Sequence, residues 1–529
     1  MTTNRKLIKS TGVIGVAITM SRVLGFARDV LFANFFGTGM SAQAFVVAFR
    51  LPNMLRDMVG EGATDAAIVP ILTEYSHTRT KEEYWEAARV ILNLMLSVLI
   101  VLSVTGAVFA PLLVRVIAPG FVHDAEKFST TVFLTRMVFP YILLLGMVAY
   151  SKGVLNSLHY FVTPAFSTVV LNMTMIAALL LLCPVIGIKG LVAGVLIGGV
   201  LEVLLQIHPL VSRGFRIGKS LSIMHPVAKR IGRLLLPRSI GTAVYQLSVL
   251  VDTVLASLSW IVGPGGVAAL YYSNRLVQLP LAVFGISLAT AVLPKMSKEV
   301  ALNDIDKLKS TIRFSLKSVF TIMVPSTIGL MLLCKPIVEA LFQRGEFTSY
   351  STKITTDALF FYTFGLFGYA GIKILVSTFY SMGDTKTPVK TAAFSLCVNV
   401  VLNLILMWPL KIGGLALATS AAAISNFVIL YIALTKRVGD IGTRDIARSL
   451  ARIFSAAGIM GLFTFLSARL FLTPGEMRGI TVIAGISVTI IASGFIYFIS
   501  SYLTGVEGIR RLCELLSAKI RQGWALKGS

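Results

Sequence analysis

Apolar stretches of about 20 or more residues recur along nearly the whole chain, each long enough to cross a bilayer core of about 30 Å. Of 529 residues, 56% are hydrophobic and 14% are charged. A soluble domain carries about a quarter charged residues. The chain therefore reads as an all-α polytopic membrane protein. Fourteen transmembrane helices are expected, at 10–36, 43–73, 88–112, 130–157, 163–184, 188–210, 234–262, 267–294, 314–334, 355–381, 389–409, 413–435, 449–471 and 479–503.

An even number of spans puts both termini on one side. The loops on that side (76–87, 211–233, 295–313 and 436–448) and the two tails carry far more Lys and Arg than the opposite loops. This asymmetry places both termini in the cytoplasm. It also accounts for the net charge of +24. A nucleic-acid binder would gather its cations on one solvated face, so nucleic acid is excluded as a partner. Arg5, Lys6 and Lys9 before an apolar run resemble the start of a signal peptide. No small-residue cleavage site follows, and Arg22 and Arg28 interrupt the run, so it reads as a retained first span. The four cysteines, Cys183, Cys334, Cys397 and Cys513, form no CxxC and imply neither a disulfide framework nor a metal site.

The chain repeats itself. "PLLVRVIAPGF" at 111–121 resembles "PIVEALFQRGEF" at 336–347, and "IKGLVAGV" from Ile188 resembles "IGGLALAT" from Ile412. "RDVLFAN" around Asp29 matches "VDTVLAS" around Asp252. The shared offset of 223–225 residues carries more weight than any single match. A repeat of six spans is even, so the halves have the same orientation, as in transporters with parallel repeats. The expected division is a six-helix lobe over 1–224, a second over 225–440, and helices 13 and 14 with the tail over 441–529.

Several charges fall inside spans. The first holds Arg22, Arg28 and Asp29, the second Arg50, Arg56, Asp57, Glu61 and Asp65, the seventh Asp252 and the eighth Arg275. An arginine at the bilayer centre costs about 2.5–3.5 kcal/mol on the translocon scale. Arg50, Arg136 and Lys152 lie near span ends, where side chains snorkel to the headgroups. Arg22 and Arg56 lie roughly 15 Å or more from either end, at about 1.5 Å per residue, and fit that reading poorly. Arg22 and Asp29 share a helix face, which allows a water-bridged structural pair. A bend at Gly25 would turn Arg22 and Arg28 toward one cavity. Arginine grips phosphate oxygens in pairs, so several together suit a diphosphate.

At this point the residues resemble a known family. "SRVLGFARD" at 21–29, "RLPNMLRD" at 50–57, "EGA" at 61–63, "PILTEY" at 70–75, "APGF" at 118–121 and "FYSMGDTKTPVK" at 379–390 are similar to the MurJ (MviN) lipid II flippases. These belong to the multidrug/oligosaccharidyl-lipid/polysaccharide exporter superfamily. The resemblance implies two parallel six-helix lobes around a cationic cavity, with helices 13 and 14 forming a groove for a prenyl tail. It assigns substrate binding to Arg22, Arg28, Asp29, Arg56 and Arg275. It implies a bacterial inner-membrane transporter, not an enzyme, moving undecaprenyl-diphosphate-linked disaccharide-pentapeptide to the periplasmic leaflet by alternating access. Lipid II, membrane lipids and the cell-wall synthesis machinery are its implied partners.

Gln43 departs from the pattern, since many members carry Asp there. Some members bind sodium, and the matching positions are Asp252, Asn399, Asn403, Thr419 and the backbone of Leu415. Asn403 replaces an acidic ligand, and the competing reading of these asparagines is interhelical hydrogen bonding. Other functions remain in view: a flippase for another prenyl-diphosphate oligosaccharide, or a cation-coupled drug antiporter of the same superfamily.

Overall fold

The computed structural model describes residues 3–56, 68–216, 218, 225–471, 480–510 and 514, and every regular element among them is helical. Lipid demands this: without water in the bilayer core, backbone N–H and C=O groups must pair within their own segment. The helices are α1 (Thr3–Phe36), α2 (Met40–Leu55), α3 (Val69–Thr78), α4 (Lys81–Val108), α5 (Ala110–Ile117), α6 (Ala125–Val138) and α7 (Tyr141–Ser157). Then come α8 (Val162–Leu181), α9 (Cys183–Ile186), α10 (Ile188–Val211), α11 (Pro226–Ala256), α12 (Ser259–Val262), α13 (Gly266–Pro280) and α14 (Ser287–Ala301). The last are α15 (Ile305–Phe342), α16 (Ser349–Thr363), α17 (Leu366–Ser381), α18 (Lys386–Leu410), α19 (Ile412–Val438), α20 (Thr443–Phe471) and α21 (Ile480–Leu503).

Among the described residues, ten helical stretches are long and apolar enough to cross a membrane, and α16 with α17, bent by 46°, makes an eleventh. They correspond to expected spans three to six and eight to fourteen. The first, second and seventh are not among them, and these are spans to which buried charge had been assigned. The second runs into residues 57–67, so Asp57, Glu61 and Asp65 lie outside the described residues.

The chain divides into two compact units, residues 1–268 with 344–348, and residues 269–343 with 349–529. This boundary falls later than the repeat boundary at 224/225 because α11 packs with α4 and α5. In the first unit, α10 presents Gly190, Gly194 and Gly198 in one row toward α8 and the turn after it. A Cβ on Gly194 would come within 2.3 Å of Ala178 Cβ, and one on Gly198 within 2.7 Å of Leu171 Cδ1. Lipid tails are as apolar as leucine, so close backbone approach through small residues drives helix association here. Large side chains such as Val101 and Leu204 face outward.

The second unit follows the same logic. Ile491 and Phe495 face outward, while Thr464 Oγ1 of α20 donates to Ser493 Oγ of α21 at 2.8 Å. Tyr497 Oη donates to the Thr321 carbonyl at 2.6 Å, and Lys317 Nζ reaches Asp445 at 2.6 Å and Glu507 at 3.1 Å. These bonds fasten α20 and α21 to α15.

Helix starts are written locally. Thr80 and Glu83 form a reciprocal capping box at α4, and Asp124 and Asp304 cap α6 and α15. Two loops meet helix ends within the first unit. Gly120, in the 3-10 turn Pro119–His123, lies against Ser257 at the end of α11. Glu346 N donates to the Asn34 carbonyl near the end of α1 at 2.9 Å.

Candidate substrate-binding site

The charges of α1 are organised by one residue from α8. Arg28 donates through Nε and Nη2 to Asp29 Oδ1 at 3.1 and 2.7 Å, and through Nη1 to Asn172 Oδ1 at 3.0 Å. Asn172 Nδ2 in turn donates to the carbonyls of Thr168 at 2.9 Å and Ser21 at 3.2 Å. Asn172 packs beside Gly25, where a Cβ would meet it at 3.5 Å, an ordinary van der Waals contact. Asp29 is buried and Arg28 half-buried. Hydrogen bonds to charged groups contribute about 1.5–3 kcal/mol, and leaving a buried carboxylate unmatched costs more.

Asp29 therefore pairs with its sequence neighbour Arg28, where the spacing had suggested Arg22. Arg22 lies on the same helix with its side chain exposed. Arg56 follows α2 directly, half-buried, with its backbone N–H donating to the carbonyls of Pro52 and Asn53. It lies within electrostatic reach of Glu202 on α10 and Tyr141 on α7. Arg275 belongs to the second unit, where its guanidinium sits 5.0 Å from the Tyr271 ring centroid and Nη2 reaches Tyr271 Oη at 3.4 Å. A π-helical stretch, Leu281–Ile286, begins one turn and a half beyond it.

Two polar clusters of the first unit escaped the sequence reading. Ser167 Oγ donates to Glu202 Oε1 at 2.9 Å, and Gln206 Nε2 donates to the same serine at 3.3 Å, all three buried. A lone carboxylate inside "GVLIGGVLEVLLQI" was the signal for it. In the second cluster, Lys127 Nζ is buried, donates to Gln43 Oε1 at 3.1 Å, and stands 3.9 Å from the Phe121 ring centroid. Gln43 Nε2 donates to the Thr38 carbonyl at 3.1 Å. The neutral amide in place of a carboxylate is thus fully used in holding a lysine.

Four of the candidate sodium ligands come together in the second unit. Asn403 Nδ2 donates to Asn399 Oδ1 at 3.1 Å, Asn399 Nδ2 to Thr419 Oγ1 at 3.2 Å, and Thr419 Oγ1 to the Leu415 carbonyl at 2.9 Å. The set supplies hard oxygens without formal charge, each of three already receiving a hydrogen bond. Asp252 is buried on α11 in the first unit.

Sequence and structure comparisons agree on one family. A family profile described as "Lipid II flippase MurJ" matches residues 32–502. A "Probable lipid II flippase MurJ" of Vibrio cholerae is 34% identical over 475 residues, covering 87% of this chain and 89% of the relative. A "Lipid II flippase MurJ" of Burkholderia cenocepacia is 34% identical over 428 residues, covering 79% and 82%. The solved structure titled "Lipid II flippase MurJ, inward closed conformation" superimposes with a TM-score of 0.78 at 26% identity, covering 93% of this chain and 98% of that one. An inward-facing multidrug resistance transporter of the MATE family and MOP superfamily, at 16% identity and a TM-score of 0.69, shares the fold and covers 81% of this chain and 99% of that one.

Proposed function

This chain belongs to the lipid II flippase MurJ family, and from that premise we propose that it carries lipid II across the bacterial inner membrane by alternating access, as a transporter and not as an enzyme. The observation that carries the reading is the Arg28 guanidinium, held on α1 by Asp29 and Asn172. A cation fixed where the sequence expects the first span suits an anionic cargo.

The residues proposed to bind substrate are Arg22, Arg28 and Arg56 of the first unit, with Asp29 orienting Arg28, and Arg275 of the second. Arginine matches phosphate oxygens in pairs and keeps its charge throughout the cycle, so these residues grip the diphosphate and leave the sugars and peptide to shape. Both termini lie in the cytoplasm, and transport runs from the cytoplasmic to the periplasmic leaflet. The hydrocarbon tail stays in lipid or along α20 and α21, whose outward side chains include Leu462, Ile491 and Phe495. The cell-wall synthesis machinery receives the product.

Sodium is part of the same proposal. Within the second unit its ligands are Asn399, Asn403, Thr419 and the Leu415 carbonyl, a set of hard oxygens suited to an alkali cation. Binding requires the asparagine amides to turn their oxygens from each other to the ion. Sodium raising the melting temperature above that in potassium, with the rise lost in Asn399→Ala, supports this assignment. Equal melting in both salts contradicts it.

The functional test is complementation. In a strain depleted of its own lipid II flippase, this chain restores growth and outer-leaflet lipid II. Restored export of another prenyl-linked oligosaccharide, without lipid II, contradicts the proposal.

A further inference from the structure

A hollow of about 340 Å³ opens in the first unit where two spans end. Its lining includes Arg79, Lys81 and Arg213, with Tyr84, Trp85 and Leu158, and none of the described lining residues is acidic. Lys81 begins α4, and Arg213 lies two residues beyond α10, so the hollow sits at the level where spans leave the hydrocarbon. We propose that it binds the phosphate-bearing headgroup of an anionic phospholipid.

The cations are placed by the fold. Arg213 stacks its guanidinium 4.1 Å from the Tyr160 ring centroid and donates through Nη1 to the Pro209 carbonyl at 2.9 Å, which fixes the plane of the fork. Arg79 stands 3.8 Å from Glu83, a loose contact between two half-exposed groups. Gly214, at φ +104°, brings the chain past the Trp85 indole and the Lys81 side chain, where a Cβ would come within 3.2 Å of Trp85 Nε1.

The floor distinguishes a lipid from a free anion. Trp85 packs edge-on against Tyr84 at 4.9 Å and at 61° to Phe215 at 5.9 Å. Tyr84 is fixed by a 2.9 Å hydrogen bond with Ser157. Tyr84 and Trp85 are largely buried, at 4% and 8% exposure, and form an apolar floor beneath the cations; the cations meet phosphate, and the apolar floor suits the glycerol and upper acyl chain that a free anion lacks. The hollow lies apart from Arg28 and Asn172 in sequence and uses none of the residues assigned to transport.

The test uses the full chain with Trp85 as its only tryptophan, after Trp260→Phe, Trp408→Phe and Trp524→Phe, in phosphatidylcholine nanodiscs. Phosphatidylglycerol brominated on the upper acyl chain is titrated in. Saturable quenching of Trp85 is expected, weakened about five-fold for each of Arg79→Gln, Lys81→Gln and Arg213→Gln, since each basic group contributes on the order of a few-fold in affinity. Lipid II transport in the three variants stays at the parent level, which also shows that they fold. Quenching equal in the triple variant, or equal from brominated phosphatidylcholine, overturns the proposal. So does inorganic phosphate displacing the lipid at millimolar concentration, because the site would then be one for a free anion.

Discussion

The backbone N–H of Gly120 donates to the Ser257 hydroxyl at 3.1 Å, tying the turn after α5 to the end of α11. Asn34 precedes Ser257 by the same offset that relates the two sequence repeats, and Gly345 follows Gly120 by nearly that offset. The second pair meets as well: a Cβ on Gly345 would come within 2.4 Å of the Asn34 carbonyl oxygen. Each repeat thus offers a glycine loop to the end of the other repeat's first helix.

A Cβ on Gly120 would stand 1.9 Å from the Ser257 carbonyl oxygen, so backbone must move. Gly120→Ala is expected to cost about 1–3 kcal/mol, the usual range for overpacking. Gly345→Ala adds left-handed strain at φ +54°. Gly458, inside α20 with nothing within 4 Å, is the control, and its alanine variant gains up to about 1 kcal/mol. Thermal unfolding in detergent reads all three.

Gln43→Leu leaves the buried Lys127 ammonium without its amide acceptor. We expect a loss of about 1.5–3 kcal/mol, the worth of a hydrogen bond to a charged group. Adding Lys127→Met to that variant removes the stranded charge and recovers most of the loss. Denaturation midpoints of the two singles and the double close the cycle.

Asn172→Ala removes the Arg28 acceptor and the bond to the Ser21 carbonyl, leaving the Arg28–Asp29 pair. Lipid II transport is expected to fall several-fold with a stability loss of about 1–3 kcal/mol. Asn172→Gln, which keeps the amide but overreaches, restores stability better than transport. Comparing flipping rates with melting temperatures separates positioning from folding.

Asp384, in the turn before α18, has a pH signature. Burial pushes its carboxyl up, but hydrogen bonds from Thr387 N and Oγ1, the Arg437 guanidinium and Lys386 N together hold it below the ordinary carboxylate value. A depressed folded value means the stabilisation is complete above the unfolded value of about 3.9 and is lost as pH falls through the folded one. Asp384→Ala is expected to lower stability by about 1 kcal/mol at pH 7, with the gap to the parent closing below about pH 4. Melting curves across pH 3–7 check it.

Apolar blocks made α4, α8, α10, α18 and α19 legible, because a span announces itself by length and hydropathy alone. Arg28 and Asp29 stood out for the complementary reason, that charge is rare in such blocks. Their true geometry was hidden: Asn172 lies 144 residues from Arg28, and an asparagine in an apolar helix signals a hydrogen bond without naming its partner. Lys127 escaped notice because it sits at a helix start, where a cation reads as solvated. Only its burial against Phe121 and Gln43 shows otherwise.

Arg22, Arg28, Arg56 and Arg275 are proposed to grip the diphosphate of lipid II. The most direct test is outer-leaflet lipid II, measured in cells depending on this chain, with Arg22, Arg28, Arg56 and Arg275 each changed to alanine at matched protein levels. The account expects transport to collapse by at least about ten-fold in each, equivalent to about 1.4 kcal/mol of lost grip, with Arg136→Ala unaffected. Parent-level transport in all four variants would contradict it.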